Sequence, residues 1–222
     1  MLQTINRFLK TNFALRAISS IFICSVFLIS IIWAHALYYT IIVVVLVYGI
    51  KEWGEIQNYD TQHMLVGLLL IFIPCLCLVY LMYQSGTNFV LLYFLTIWGV
   101  DTCAYIAGNI IGGPKLCPTI SPKKTYSGFV VGILMASIIA NMGHKILLID
   151  DMIINIHFLS FGLAIGVLAQ LSDLLMSFFK RKFGIKDFGV VIPGHGGILD
   201  RFDSFILSAP ALSLFINYNF IT

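Results

Sequence analysis

Long apolar runs dominate the chain, and polar residues are confined to short intervals between them. A helix needs about 20 mostly apolar residues to cross the hydrocarbon core of a bilayer. Backbone groups in lipid must be hydrogen-bonded within their own segment, so such runs predict helices. The pattern predicts seven spans, near 15–33, 35–50, 64–83, 88–111, 126–142, 157–178 and 203–220. Very little chain separates the first two, which predicts a tight helical hairpin, and the short second span is open to extension through "KEW".

Composition agrees with a membrane protein. Of the 222 residues, 59% are hydrophobic and 10% are charged, whereas a soluble domain is only about half apolar. The small net charge of +3 gives no indication of nucleic-acid binding, and no nucleic-acid partner is expected. The chain is therefore predicted to be an all-α polytopic helix bundle, forming one integral-membrane domain over residues 1–222.

The positions of Lys and Arg predict the orientation. With a cytoplasmic N-terminus, seven spans place twelve of the 13 Lys and Arg residues on the cytoplasmic side and only Lys145 on the other. Cytoplasmic loops carry an excess of these residues. Asp150 and Asp151 are then expected to face outward.

Several acidic residues lie where lipid is expected. Asp101 falls inside the predicted fourth span, Asp173 inside the sixth, and Asp203 at the start of the seventh. An Asp at the bilayer centre costs about 2.5–3.5 kcal/mol on insertion scales, so such residues usually face a bundle interior or a wet cavity. For Asp101, a polar contact within the bundle is an equally open interpretation.

Asp200 and Asp203 are three residues apart, which places both carboxylates on one face of a helix. Together with Asp173 they predict an oxygen cage for Mg²⁺, an ion that usually takes one or two carboxylates plus substrate phosphates. The alternative is that Asp200 pairs with Arg201 or Lys186 and that Asp203 caps a helix.

Residues 177–203, here called the charged segment, hold much of the charge of the chain. Its five cationic residues are Lys180, Arg181, Lys182, Lys186 and Arg201. Glycines in its "PGHGG" turn let backbone N–H groups approach an anion, and His195 among them could donate to a phosphate. Cations beside a membrane also contact anionic lipid headgroups, and that interpretation stays open.

The loop "GGPKLCPTISPKKTYSG" at 112–128 is the second candidate anion site. Ser121 and Pro122 are typical of an N-cap and a first helical residue. Lys123, Lys124 and Thr125 would then occupy the first turn, where free N–H groups favour a phosphate. Simple capping combined with inside-positive charge would explain the same residues.

Carboxylates for a metal, cations and glycines for phosphates, and a membrane location together imply phosphoryl or nucleotidyl transfer to a lipid. The charged segment moreover resembles the phosphatidate cytidylyltransferases, also called CDP-diglyceride synthetases. The positions that carry the resemblance are Ser177, Lys180-Arg181, Lys186-Asp187, Gly189, Pro193, His195-Gly196-Gly197 and Asp200-Arg201-Phe202-Asp203. Two upstream stretches, "WGVDTCAYIAGNIIG" and "SPKKTYSGF", are similar to further segments of that family.

The resemblance covers residues 90–220, the expected catalytic portion, and leaves 1–90 as variable N-terminal spans. Two residues depart from the family pattern near the expected site. Ser172 stands where the family often has Gly, and Met176 where it often has Glu.

The resemblance implies transfer of the cytidylyl group of CTP to phosphatidate, giving CDP-diacylglycerol and pyrophosphate in phospholipid biosynthesis. It implies Mg²⁺, with a second cation as an option, held by Asp173, Asp200 and Asp203. Asp187 would orient Lys186 or assist the metal, and Asp101 would lie in a polar cavity on the cytoplasmic side. The expected substrate-binding residues are Ser121, Lys124, Thr125, Lys180, Arg181, Lys186, His195, Gly196, Gly197 and Arg201. A bacterial-type cytoplasmic (inner) membrane and a homodimer are expected from the same resemblance.

Three other classes of protein share part of this chemistry. Another CTP-using membrane enzyme, such as a polyprenol kinase or an ether-lipid cytidylyltransferase, has the same local chemistry but not the full pattern. A CDP-alcohol phosphotransferase needs a D-G-x-x-A-R element, which this chain lacks. A cation transporter could use Asp101 and Asp173 as ion ligands, but it would leave the cations and glycines of the charged segment unexplained.

Overall fold

The computed structural model of the chain describes residues 22–56, 61–148, 154–191 and 196–217. These ranges are mostly helical, which confirms the predicted all-α class. The helices are α1 (Phe22–Ile32), α2 (His35–Ile56), α3 (Thr61–Ile110), α4 (Tyr126–Leu147), α5 (Ile156–Lys182), α6 (Leu199–Phe202) and α7 (Phe205–Asn217). One short antiparallel hairpin, formed by β1 (Lys115–Cys117) and β2 (Ser121–Thr125), was not predicted.

Four helices within the described ranges, α2 to α5, are long and apolar enough to cross a membrane, which indicates an integral membrane protein. The described parts of α1 and α7 are shorter apolar helices. The extension of the second predicted span through "KEW" is confirmed, since α2 continues to Ile56.

Helix α3 contains a reversal of chain direction. Gly86 has φ 76° and ψ −178°, a conformation outside the helical region that glycine adopts without steric cost. His63, near the start of α3, accepts a hydrogen bond from Trp53 at one end of α2 (2.9 Å), and Thr87 lies 2.9 Å from His35 at the other end. The part of α3 before Gly86 therefore runs antiparallel to α2, and the part after it returns. The predicted spans 64–83 and 88–111 correspond to these two parts.

Small residues let α4 pack closely against its neighbours. From residue 128 to residue 140, every fourth position on its buried face is Gly or Ala: Gly128, Gly132, Ala136 and Ala140. A Cβ at Gly162 of α5 would lie only 2.5 Å from the carbonyl oxygen of Ala136. Helices in lipid associate through such close van der Waals contacts, because lipid provides no hydrophobic drive between them. The small residues thus let α4 pack directly against α5, and both helices contribute residues to the site described below.

Several helix ends meet at one end of the bundle, called the site end below. They are the C-terminal ends of α2, α3 and α5 and the N-terminal ends of α4 and α7. In the part of the chain that the structure describes, Lys145, near the end of α4, is the single Lys or Arg that lies away from the site end. The described Lys and Arg residues thus follow the predicted asymmetry, whereas Asp150 and Asp151 lie outside the described residues.

Candidate active site

A polar cavity of about 640 Å³ opens at the site end. Its charged lining comes from α3, the hairpin, α5, α6 and the chain on either side of α6. The acidic lining residues are Asp101, Asp173, Asp187, Asp200 and Asp203, and the basic ones are Lys115, Lys123, Lys124, Lys180 and Arg201. A cavity with five residues of each sign suits a ligand that itself combines anionic phosphates with a cation.

The first ion pair in the cavity joins the hairpin to α5. Lys124 Nζ lies 2.6 Å from Asp173 Oδ2, and each side chain is about a quarter exposed. The 112–128 loop, a candidate anion site, therefore meets Asp173, a predicted metal ligand on α5. The partial exposure leaves both groups accessible to a ligand that enters the cavity.

The prediction that Ser121 caps a helix is wrong. Ser121–Thr125 forms strand β2, in which Ser121 pairs with Cys117 and Thr125 pairs with Lys115. The helix begins at Tyr126, and Thr125 is its N-cap, since its Oγ1 accepts a hydrogen bond from Gly128 N at 3.1 Å. Local capping preferences could not reveal the strand pairing that occupies Ser121. The cap is instead the Thr at the end of the same stretch.

Replacing Thr125 by Ala is expected to destabilise the protein by about 1 kcal/mol, because loss of an N-cap hydroxyl leaves a first-turn N–H without its acceptor. The apparent melting temperature in detergent should fall by about 2–4 °C. The T125S variant retains the hydroxyl and serves as the matched control. Equal melting temperatures for T125A and T125S would contradict the capping role.

The second ion pair is buried and lies inside the charged segment. Lys180 Nζ donates to Asp200 Oδ1 at 2.9 Å, and the Asp200 side chain is only 3% exposed. Asp200 Oδ2 also accepts from the backbone N–H groups of Phe188 (2.8 Å) and Gly197 (2.9 Å). The sequence suggested Arg201 or Lys186 as a partner for Asp200, whereas the structure pairs Asp200 with Lys180. Asp200 thus organises the loop backbone around it.

Asp101 and Asp203 lie on either side of Ser204. The Ser204 hydroxyl donates to Asp101 Oδ2 at 3.3 Å, and the Ser204 backbone N–H donates to Asp203 Oδ1 at 2.9 Å. The Ser172 hydroxyl donates to the Asp203 carbonyl oxygen and accepts from Leu207 N at 3.1 Å. Ser172, one of the two departures from the family pattern, therefore ties α5 to the turn that carries Asp203.

Other predicted residues are distributed around the cavity. Asp187 and Arg201 line it, whereas Lys186 is exposed outside the lining. Arg181 also lies outside the lining, and its guanidinium donates to the carbonyl oxygens of Ile120 and Ile185, both at 3.1 Å.

The glycines of the charged segment are close to Asp200. Gly197 donates to its carboxylate, and a Cβ at Gly196 would lie 2.9 Å from Asp200 Oδ2. His195, predicted to bind a phosphate, lies outside the described residues.

Some lining residues were missed by sequence reasoning. They are Tyr105, Asn109, Lys115, Gln170 and Ser204. Gln170 could have been found, because it is a polar residue in a predicted span, three residues before Asp173. Its side-chain amide donates to the Phe129 carbonyl oxygen at 3.0 Å, which links α5 to α4 beside the cavity.

The cavity suits a magnesium ion that is held partly by substrate. Asp101, Asp173 and Asp203 all present carboxylates to it. Mg²⁺ prefers oxygen ligands, keeps several waters, and usually takes only one or two carboxylates together with phosphates. Within the described residues, no three His, Cys, Asp or Glu side chains lie close enough together to hold a metal by themselves. The assignment of Asp173, Asp200 and Asp203 as ligands stays a prediction.

The chain is similar to known proteins over most of its length. A family described as the "Cytidylyltransferase family" matches residues 59–219. A "Phosphatidate cytidylyltransferase" of Rickettsia bellii is 42% identical over 216 residues, which cover 94% of this chain and 92% of the relative. A protein of the same name from Rickettsia typhi is 41% identical over 90% of each chain. Another, from Staphylococcus haemolyticus, is 42% identical over 60% of this chain and 50% of its own length. The chain therefore belongs to the cytidylyltransferase family.

Proposed function

We propose that this protein transfers the cytidylyl group of CTP to phosphatidate, producing CDP-diacylglycerol and pyrophosphate in phospholipid biosynthesis. The observation that carries the proposal is the cavity, which joins acidic and basic residues at one end of an apolar helix bundle. A triphosphate can enter such a cavity from water while the acyl chains of a lipid phosphate stay in the membrane. The relatives of the family bear the name of the same activity.

The reaction is a displacement at the α-phosphorus of CTP. A phosphate oxygen of phosphatidate forms a bond to that phosphorus, and the bond to the bridging oxygen of the β-phosphate breaks. Pyrophosphate leaves with the electron pair. Phosphatidate is already ionised at neutral pH, so the step requires no strong general base.

The cationic residues of the cavity provide the binding sites for the phosphates. Lys123, Lys124 and Thr125 come from the hairpin, Lys180 from α5 and Arg201 from α6. Fixed positive groups stabilise the charge that develops on transferring phosphoryl oxygens. Lys124 is already neutralised by Asp173, so phosphate binding at Lys124 frees the Asp173 carboxylate for a metal.

Asp173 and Asp203 are the proposed principal ligands of Mg²⁺, with Asp101 beside them and a second cation as an option. When bound, the ion neutralises phosphate charge and orients the reacting groups. Asp200, the third predicted ligand, accepts three hydrogen bonds from the protein. Its participation as a ligand requires one of these bonds to be exchanged.

We further propose seven membrane spans, in a bacterial-type cytoplasmic membrane, with the cavity facing the cytoplasm. The concentration of described Lys and Arg residues at the site end supports this orientation. The antiparallel parts of α3 support two spans within that element. A homodimer remains part of the proposal.

The function is tested with purified protein in detergent, phosphatidate, MgCl₂ and CTP radiolabelled at either the α- or the γ-phosphate. Label from the α-phosphate should enter the organic phase, and EDTA should abolish its transfer. Transfer of γ-label alone would replace the proposal with a lipid kinase. Absence of any transfer, together with cation flux into liposomes without CTP, would replace it with the transporter.

A further inference from the structure

Glu52 is a buried carboxylate that lies outside the cavity lining. It is located near the C-terminal end of α2 and is only 3% exposed. Its Oε1 accepts a hydrogen bond from Ile198 N at 2.9 Å, and its Oε2 accepts one from Leu199 N at 3.0 Å. Both donors belong to the charged segment, about 146 residues later in the chain. A buried carboxylate is tolerated only when hydrogen bonds replace its hydration, and here the loop backbone provides them.

Two glycines of the charged segment make room for this carboxylate. A Cβ at Gly189 would lie 2.5 Å from Glu52 Oε1, and a Cβ at Gly197 would lie 2.6 Å from Glu52 Oε2. Any larger residue at either position would collide with the carboxylate. Two separate segments of the loop, one at residue 189 and one at 197–199, thus lie around the Glu52 carboxylate.

The loop backbone around Glu52 also forms the environment of Asp200. The N–H groups of Phe188 and Gly197 donate to Asp200 Oδ2. Gly197 itself lies against Glu52, and Phe188 directly precedes Gly189, which also does. The neighbouring residue on α2, Trp53, stacks on Phe188 with ring centroids 5.8 Å apart. Helix α2 therefore contacts the loop through the Glu52 carboxylate and the Trp53 indole, and neither residue lines the cavity.

We propose that Glu52 is a positioning residue for the cytidylyltransferase site. It fixes the backbone at Gly189 and at 197–199 so that Asp200 and Lys180 keep their places in the cavity wall, and it thereby sets the affinity for CTP. This role rests on the proposed function. It assigns a site-forming residue to the N-terminal portion, residues 1–90, which the family resemblance left outside the expected catalytic portion.

The E52Q variant tests the proposal, with E55Q as its matched control. Gln keeps the size of Glu but replaces one acceptor oxygen with an NH₂ group that faces a backbone N–H. Glu55 lies three residues further along α2, where its exposed side chain pairs with Lys51 at 3.7 Å. In folded, monodisperse protein, the KM for CTP should rise about tenfold or more in E52Q and stay unchanged in E55Q. A merely structural role would lower the yield of folded protein without changing KM.

Hydrogen exchange supplies a readout that needs no activity. Peptides covering 188–199 should exchange faster in E52Q than in wild type or E55Q. Unchanged exchange, or faster exchange with an unchanged KM, would overturn the positioning role. If E52Q does not fold, E52D replaces it, since Asp keeps the charge but falls short of the two N–H groups, and an unchanged KM in E52D would also overturn the role. A wild-type protein without cytidylyl transfer would overturn the proposed function, while the exchange data still decide whether Glu52 anchors the loop.

Discussion

Replacing Asp173 by Asn is expected to lower the rate of cytidylyl transfer by about 100- to 1000-fold, the usual effect of removing one group that stabilises transition-state charge. Asp173 lines the cavity and pairs with Lys124 at 2.6 Å. Asn keeps the shape of the side chain but removes the charge that would hold Mg²⁺ and balance Lys124. Initial rates measured across a MgCl₂ titration check this prediction.

The same variant should melt close to the wild-type temperature. Lys124 is about a quarter exposed, so water can solvate its ammonium group once the partner charge is lost. E55Q again serves as the control for converting a carboxylate to an amide at the site end. A D173N enzyme with wild-type turnover at every Mg²⁺ concentration would remove Asp173 from the proposed machinery.

Replacing Asp200 by Ala is expected to destabilise the protein by about 3–5 kcal/mol, as happens when one partner of a buried ion pair is removed. The substitution leaves the Lys180 ammonium and the N–H groups of Phe188 and Gly197 without their acceptor. The apparent melting temperature in detergent should fall by about 10 °C. Loss of activity should accompany the change, because the loop loses its central acceptor.

The reciprocal variant K180M should destabilise the protein less than D200A. Asp200 keeps two backbone donors when Lys180 is removed, and the Met side chain can still pack on Phe188, whose ring centroid lies 5.5 Å from Lys180 Nζ. D187N, on an exposed residue of the same loop, is the control and should melt like wild type. An equal fall for D200A and K180M would mean that Asp200 acts only as a counter-ion and does not organise the loop.

Sequence reasoning found cavity residues best where a charged side chain would be costly in lipid. Asp101, Asp173 and Asp203 were singled out because carboxylates in or near apolar spans need a polar environment, and all three line the cavity. It failed at Ser121, because helix capping and strand pairing use similar residues and only the partner strand distinguishes them. The break at Gly86 was within its reach, since the apolar pattern places two separate spans, 64–83 and 88–111, on either side of it.

The sequence by itself determined that this protein is an all-α membrane bundle, that its charge is concentrated in two segments, and that these segments carry the family pattern. Those properties depend on composition and spacing, which can be read without coordinates. The tertiary structure decided that Lys124 pairs with Asp173, that Lys180 pairs with Asp200, and that Glu52 accepts hydrogen bonds from Ile198 and Leu199. These contacts join residues up to 147 positions apart. Such pairings are set by how helices pack against one another, and no local preference of the chain encodes them.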